Sequence, residues 1–203
     1  LFVLTSSGQT IAEAAAVLQR CGYGRSRMIV LEHMGGPQER TAELLPEEAA
    51  DQSFADLNTL AIECEAFPQT PHFAALPGLP DHAFIHDGQL TKREVRAVTL
   101  SALQPFPGAV LWDIGAGCGS VAIEWMRAAA RASAFAIEDN DARIAMTVQN
   151  AKALGVPELT IIKGNAPAAL KNLPEPDAIF IGGGITDQGV FETAFAALKP
   201  NGF

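Results

Sequence analysis

The 203-residue sequence has little cysteine, little positive charge and no long apolar run. Its three cysteines, Cys21, Cys64 and Cys118, form no CxxC pair and no disulfide framework, which fits a reducing cytoplasm. No stretch approaches the ~18–20 apolar residues that a membrane-spanning helix needs. Residues 1–5 are too short, and lack the basic flank, for a signal peptide. Lys and Arg number 14 against 23 Asp and Glu, a net charge of −9, so a general nucleic-acid binder is disfavoured. A P-loop is excluded because no G-x-x-x-x-G-K-[ST] run occurs. Glycine (18) and proline (13) are scattered without a repeat. What remains is 48% hydrophobic and 18% charged, with ample apolar material for a packed core in one or two domains. There is no initiator Met, a strand opens the chain, and residues 199–203 stop just past a helix; the expectation is a fragment of something longer.

Pro68, Pro71, Pro77 and Pro80 crowd the middle of the sequence beside His72 and Gly78, which suits a semi-extended linker and places a boundary near residue 75. Before it, strands are expected at 2–5, 28–32 and 58–64 and helices at 9–21 and 41–50. That alternation predicts a parallel βαβ arrangement, although three strands and two helices are too few to bury both faces of such a sheet. After it, strands at 109–114, 134–138, 159–163 and 178–181 alternate with helices at 91–104, 120–130, 141–154, 166–172 and 188–198. This predicts a doubly wound, Rossmann-like α/β sheet.

Chemistry concentrates where the strand Val110-Leu111-Trp112-Asp113-Ile114 runs into Gly115-Ala116-Gly117-Cys118-Gly119-Ser120. Glycines let the backbone turn sharply and approach a ligand, and the helix that follows offers free N–H groups. A dinucleotide fingerprint needs G-x-G-x-x-G, yet Ser120 stands at the third glycine position and the spacing is G-x-G-x-G. Asp113 would repel a pyrophosphate but suits a zwitterion bearing an ammonium group. This is the pattern of Rossmann-like S-adenosyl-L-methionine-dependent methyltransferases, which the region resembles. Glu138, nineteen residues after Gly119 at the end of the next strand, is placed to accept from ribose hydroxyls. Asn165, in Lys163-Gly164-Asn165-Ala166, stands at the adenine-reading corner, where Asp is usual. No Asn/Asp-Pro-Pro-aromatic motif follows the fourth strand; Gly182-Gly183-Gly184 stands there instead, which argues against an amino-nitrogen acceptor and suggests close backbone approach to a bulky ligand.

The resemblance narrows with Gly78-Leu79-Pro80-Asp81-His82-Ala83-Phe84, Gln89-Leu90-Thr91-Lys92-Arg93-Glu94-Val95-Arg96, the glycine turn, Glu138, Gly164 to Pro167 and Ile181 to Gly183. Together these resemble the decarboxylating precorrin methyltransferases of cobalamin biosynthesis, which act at carbon 15 of precorrin-6Y, over residues 76–203. Residues 1–75, through Val3-Leu4-Thr5, Thr10, Glu32, Gly35-Gly36-Pro37, Glu39-Arg40 and Leu57-Asn58, resemble the end of the tetrapyrrole methylases that act at carbon 5. The order matches the bifunctional C5,15-methyltransferases, with this chain as a piece of the fusion.

The resemblance implies donor contacts at Thr91, Asp113, Gly115, Ala116, Gly117, Cys118, Gly119, Glu138, Asn165 and Ala166, with Thr91 expected to begin its helix. Thr5 and Thr10 are possible contacts of the other methylase, without carbon-5 activity expected from this chain. The implied partner is a polycarboxylate tetrapyrrole, not nucleic acid or membrane, and relatives of the second segment commonly assemble as tetramers. Lys92, Arg93 and Arg96 are the nearest candidates for a positive patch facing that substrate. His82 and His86 are expected near the mouth as exposed loop residues, and no residue is assigned a catalytic or metal-binding role. Other readings are a methyltransferase for another small molecule or a protein carboxyl group, an NAD-binding oxidoreductase, and a non-catalytic scaffold.

Overall fold

Arg27–Glu32 alternates exposed and buried side chains, the signature of a strand with one face on a core. In the computed structural model, which describes residues 1–71 and 73–203, it joins Phe2–Leu4 (β1), Arg40–Leu44 (β3) and Asn58–Glu63 (β4) as strand β2. His72, part of the expected linker, lies outside the described residues. The chain forms two compact units, Leu1–His72 and Phe73–Phe203. No helix among the described residues is long and apolar enough to cross a membrane.

The first unit corrects the expected parallel sheet. Its order is β1-β4-β2-β3 and every pairing is antiparallel. Helix α1 (Gln9–Arg20) connects β1 to β2, as a crossover should, but β4 lies between them and runs against both. Element alternation reports the crossover and cannot report which strand inserts into it. The helix expected at 41–50 is instead β3 followed by a 3₁₀ turn at Pro46–Asp51. Thr41 and Leu44 pair with Leu31 and Met28, and Pro46 prevents one helix from running through both stretches. Ile11 and Ala15 of α1 pack on Met28, Val30, Leu44, Leu60 and Ile62.

The second unit is the expected α/β sheet. Helix α2 (Arg93–Leu103) precedes β5 (Val110–Ile114), α3 (Ser120–Ala128), β6 (Ser133–Glu138), α4 (Asp141–Ala153), β7 (Thr160–Lys163), β8 (Ala178–Ile181) and α5 (Val190–Ala197). The strands are parallel in the order β7-β6-β5-β8. Successive side chains of β5 serve opposite faces: Leu111 joins the core under α2 and α3, while Trp112 and Ile114 join the core under α5. The helix expected at 166–172 is a single 3₁₀ turn, Ala168–Leu170, because Pro167 and Pro174 confine it to a length too short to propagate. From β5 the chain moves first toward β6 and later returns to β8 on the other side. That reversal places a crevice at the carboxyl ends of β5 and β8, where open α/β sheets bind ligands.

Arg96 is not part of a surface patch. It is 0% exposed and pairs at 2.5 Å with Glu124 of α3, which is 1% exposed. The guanidinium also donates to the carbonyls of Thr91 and Leu79, reaches Asp81 at 3.3 Å, and lies over the Phe84 ring. Glu124 in turn accepts from Gly78 N at 2.5 Å and Leu79 N at 3.1 Å. The segment before α2, which carries a single 3₁₀ turn at Asp81–Ala83, is thus tied by charge to two helices.

Arg96→Met should cost about 3–5 kcal/mol, because it strands the Glu124 carboxylate in the interior. Arg96→Met/Glu124→Gln should recover roughly half of that loss, since it removes the uncompensated charge but leaves two carbonyls without donors. Urea unfolding of the two variants beside the parent checks both expectations.

Candidate functional site

The turn after β5 works because of three left-handed glycines: φ is +72° at Gly115, +60° at Gly117 and +78° at Gly119. Gly115 N and Ala116 N both donate to Ile137 O, at 2.9 and 3.0 Å, which folds the turn over the end of β6. A Cβ on Gly115 would lie 2.9 Å from Gly183 N, and one on Gly119 would lie 2.6 Å from Thr147 Cγ2. Gly182 is equally confined, since a Cβ there would lie 2.9 Å from Gly115 O. The close approach expected of the Gly182–Gly184 run is therefore made first by backbone on backbone. Gly117 differs, because a Cβ there would meet only Gln89 O, at 3.6 Å. Two α4 side chains hold the turn from outside: Thr147 Oγ1 donates to Gly117 O and Asn150 Nδ2 to Cys118 O, each at 3.0 Å.

Above the turn lies a cavity of about 480 Å³. Thr91, Asp113, Gly115, Ala116, Gly117, Cys118, Glu138, Asn165 and Ala166 all line it, so residues up to 75 positions apart in sequence meet there. Gly119 does not line it; it begins α3 and packs on Thr147. Thr91 does not begin its helix either. Lys92 holds that position without a side-chain cap, and Thr91 instead presents its carbonyl to Arg96.

Asp113 is 1% exposed and divides its oxygens between two tasks. Oδ2 accepts from Ala122 N at 3.0 Å, supplying the side-chain cap for α3 that a glycine cannot. Oδ1 is buried with no hydrogen-bond partner among the described residues, on a residue that forms the cavity wall. Burial, reinforced by the nearby Glu138 charge and opposed by the Ala122 N–H, pushes its carboxyl up to about 7. Glu138 joins two loops: Oε2 accepts from Gly117 N at 2.8 Å and Oε1 from Asn140 N at 3.1 Å. Each oxygen keeps further acceptor capacity. The Cys118 thiol is buried, which pushes its ionisation up and leaves it neutral. Asn165 is exposed at the rim, and its backbone carbonyl accepts from Ala169 N.

Several candidates lie off the wall. His82 is exposed, and His86 Nδ1 accepts from Gly88 N at 3.0 Å. Lys92 sits 4.0 Å from Asp81, and Arg93 Nε donates to Gly78 O. In the first unit, Thr5 donates to Asn58, and Thr10 is 3.3 Å from Ser6 Oγ. Sequence reasoning missed Arg143, Asp139 and Asp187, which do line the cavity. For Arg143 and Asp139 the available signal was adjacency to Glu138; for Asp187 it was its place in the loop after β8. No cluster of three His, Cys, Asp or Glu among the described residues is arranged to hold a metal.

A family model described as a precorrin methyltransferase domain matches residues 82–203. A Sinorhizobium protein named precorrin-6Y C(5,15)-methyltransferase [decarboxylating] is 46% identical over 202 residues, which is 100% of this chain and 49% of that protein. A Pyrobaculum calidifontis protein named probable cobalt-precorrin-6B C(15)-methyltransferase (decarboxylating) is 38% identical over 114 residues, 54% of this chain and 58% of that one. The crystal structure of the C-terminal domain of precorrin-6Y C5,15-methyltransferase from Rhodobacter capsulatus superposes with a TM-score of 0.60 at 44% identity, covering 64% of this chain and 70% of that one. The chain spans about half the length of the full-length curated relatives it matches.

Asp113 makes folding pH-dependent. Its carboxyl rises from 3.8 to about 7 in the folded chain, so its share of stability is full below about pH 4 and lost as pH climbs through about 7. Asp113→Asn should remove that slope. The parent should lose up to about 4 kcal/mol relative to the variant between pH 4 and pH 8, as read from urea unfolding of both across that range.

Proposed function

The chain belongs to the precorrin methyltransferase family, and from that premise we propose that its second unit binds S-adenosyl-L-methionine and methylates a carbon of a precorrin. The acceptor assigned is carbon 15 of precorrin-6Y, with loss of carbon dioxide from an acetate side chain. Residues 1–75 are read as the end of a tetrapyrrole methylase domain and residues 76–203 as part of the donor-binding methyltransferase domain. The names of the relatives support the acceptor; the residues of the cavity support the donor.

One observation carries the donor assignment: the buried, unpartnered Asp113 Oδ1 on the wall of a cavity beside a left-handed glycine turn. An unsatisfied buried oxygen is costly, and an ammonium group would satisfy it. Asp113, Glu138, Asp139 and Asp187 line the cavity against a single Arg143, a balance that favours a cationic sulfonium and ammonium over a pyrophosphate. The donor fits these groups: Gly117 admits close approach to its backbone, Glu138 has acceptor capacity for ribose hydroxyls, and the Asn165 side chain stands where an adenine edge is read. When bound, the donor supplies a methyl group made electrophilic by its sulfonium. The task of the chain is to align the acceptor carbon with that methyl and to keep water out, both of which the recessed cavity serves.

Calorimetric titration of S-adenosyl-L-methionine into the 203-residue chain should give micromolar affinity, about −8 kcal/mol, and NAD should give no heat. Gly117→Val places a β-branched residue at φ +60° and should weaken binding at least about a hundredfold. Absence of binding by the folded parent, or unchanged binding by the valine variant, would overturn the donor assignment.

A further inference from the structure

Residues 86–90, of which Gln89 and Leu90 line the cavity, lie between two buried anchors. Ahead of them, Ile85 N donates to Asn150 Oδ1 at 2.8 Å and Ile85 O accepts from Asn150 Nδ2 at 2.9 Å, and Asn150 is buried. Behind them, the Thr91 carbonyl is held by the fully buried Arg96. Between the anchors, the hydrogen bonds among the described residues that reach another element come down to one pair: Arg143 Nε donates to Asp87 Oδ2 at 2.8 Å. The remaining two are local, from Gly88 N to His86 and from Gln89 N to Asp87. Gly88 has φ +100°, and no heavy atom of the described residues lies within 4 Å of where its Cβ would be. This short span is therefore anchored at both ends, carries a left-handed glycine at its middle, packs through Leu90 against the core, and is joined to α4 by one partly exposed ion pair.

The position of that pair gives it a role. Gln89 and Leu90 line the cavity, as does Arg143 itself, in the first turn of α4 beside Glu138 and Asp139. We infer that Arg143 is a positioning residue for the methyl donor: acting through Asp87, it holds the Gln89–Leu90 wall in place and thereby sets how tightly the donor is bound. This inference rests on the donor-site reading above. Side chains about a quarter to a third exposed contribute little to global stability through their ion pair. The same pair governs whether the wall is already in place when the donor arrives. A site that is formed only a fraction of the time loses affinity by that fraction.

A double-mutant cycle tests this on the 203-residue chain, with S-adenosyl-L-methionine as the probe. Asp87→Asn and Arg143→Gln should each weaken binding about five- to tenfold, and the double variant should be no weaker than either single one. Melting midpoints should stay within about 2 °C of the parent, because an exposed pair is removed. In the parent, raising salt from about 0.05 to about 0.5 M should speed donor dissociation, and in the double variant the effect should be clearly smaller, leaving only the screening between the cavity acids and the cationic donor. Binding by Asp87→Asn within about twofold of the parent would overturn the inference, as Arg143 would then act without Asp87. So would a double variant whose loss equals the product of the two single losses, or a salt effect as large in the double variant as in the parent. A parent that binds no S-adenosyl-L-methionine would overturn the donor reading and this inference together.

Discussion

The ion pair between Arg96 and Glu124 is the constraint on which the second unit depends. Neither group touches water, and their hydrogen bonds run outward to the backbone of Gly78, Leu79 and Thr91. A charged pair in an interior gains little net stability over an apolar one, so its value lies in what it orders. Through Leu79 and Gly78 it fastens the entry segment to α3, and through Thr91 it fixes one wall of the cavity. Helix α3 is also the helix that the glycine turn begins, so the two walls of the crevice share one buried charge network.

Asp113 shows a second way in which stability yields to a site. Its side chain caps α3 and so belongs to the fold, yet one oxygen is left without a partner and the group is held near neutrality by burial. An apolar residue or an asparagine would be easier to bury. A carboxyl at this point is costly until a cation satisfies it, and that cost is what supports the proposed donor site. Glu138, by contrast, is already bonded on both oxygens and acts first as the clamp between the glycine turn and the start of α4.

Much of this was legible in the sequence. The four parallel strands of the second unit follow from alternating elements, and the glycine turn with Asp113 and Glu138 follows from spacing at strand ends. These signals are local: each element carries its own periodicity, and a turn needing positive φ at three positions must be written with glycine. The first unit was less legible. Three of its strands were read in place, but their expected parallel pairing is antiparallel throughout, β4 inserts between β1 and β2, and Thr41 to Leu44 pair as a strand although their neighbours favour helix. Strand pairing of that kind is decided by partners distant in sequence.

The sequence by itself determined where the chain bends sharply, which strand ends carry acids, and that a parallel sheet would gather those ends along one edge. Only the tertiary structure decided what each charged side chain does there. Arg96 reads as a surface cation in a Lys-Arg run and is buried against Glu124, an acid with no local signal of importance. Thr91 reads as a helix cap and serves through its carbonyl, while Arg143 and Asp87, 56 positions apart, meet across the cavity wall. Local pattern specifies backbone conformation; the pairing of charges depends on packing between elements, and burial then sets what each pairing costs and what it can do.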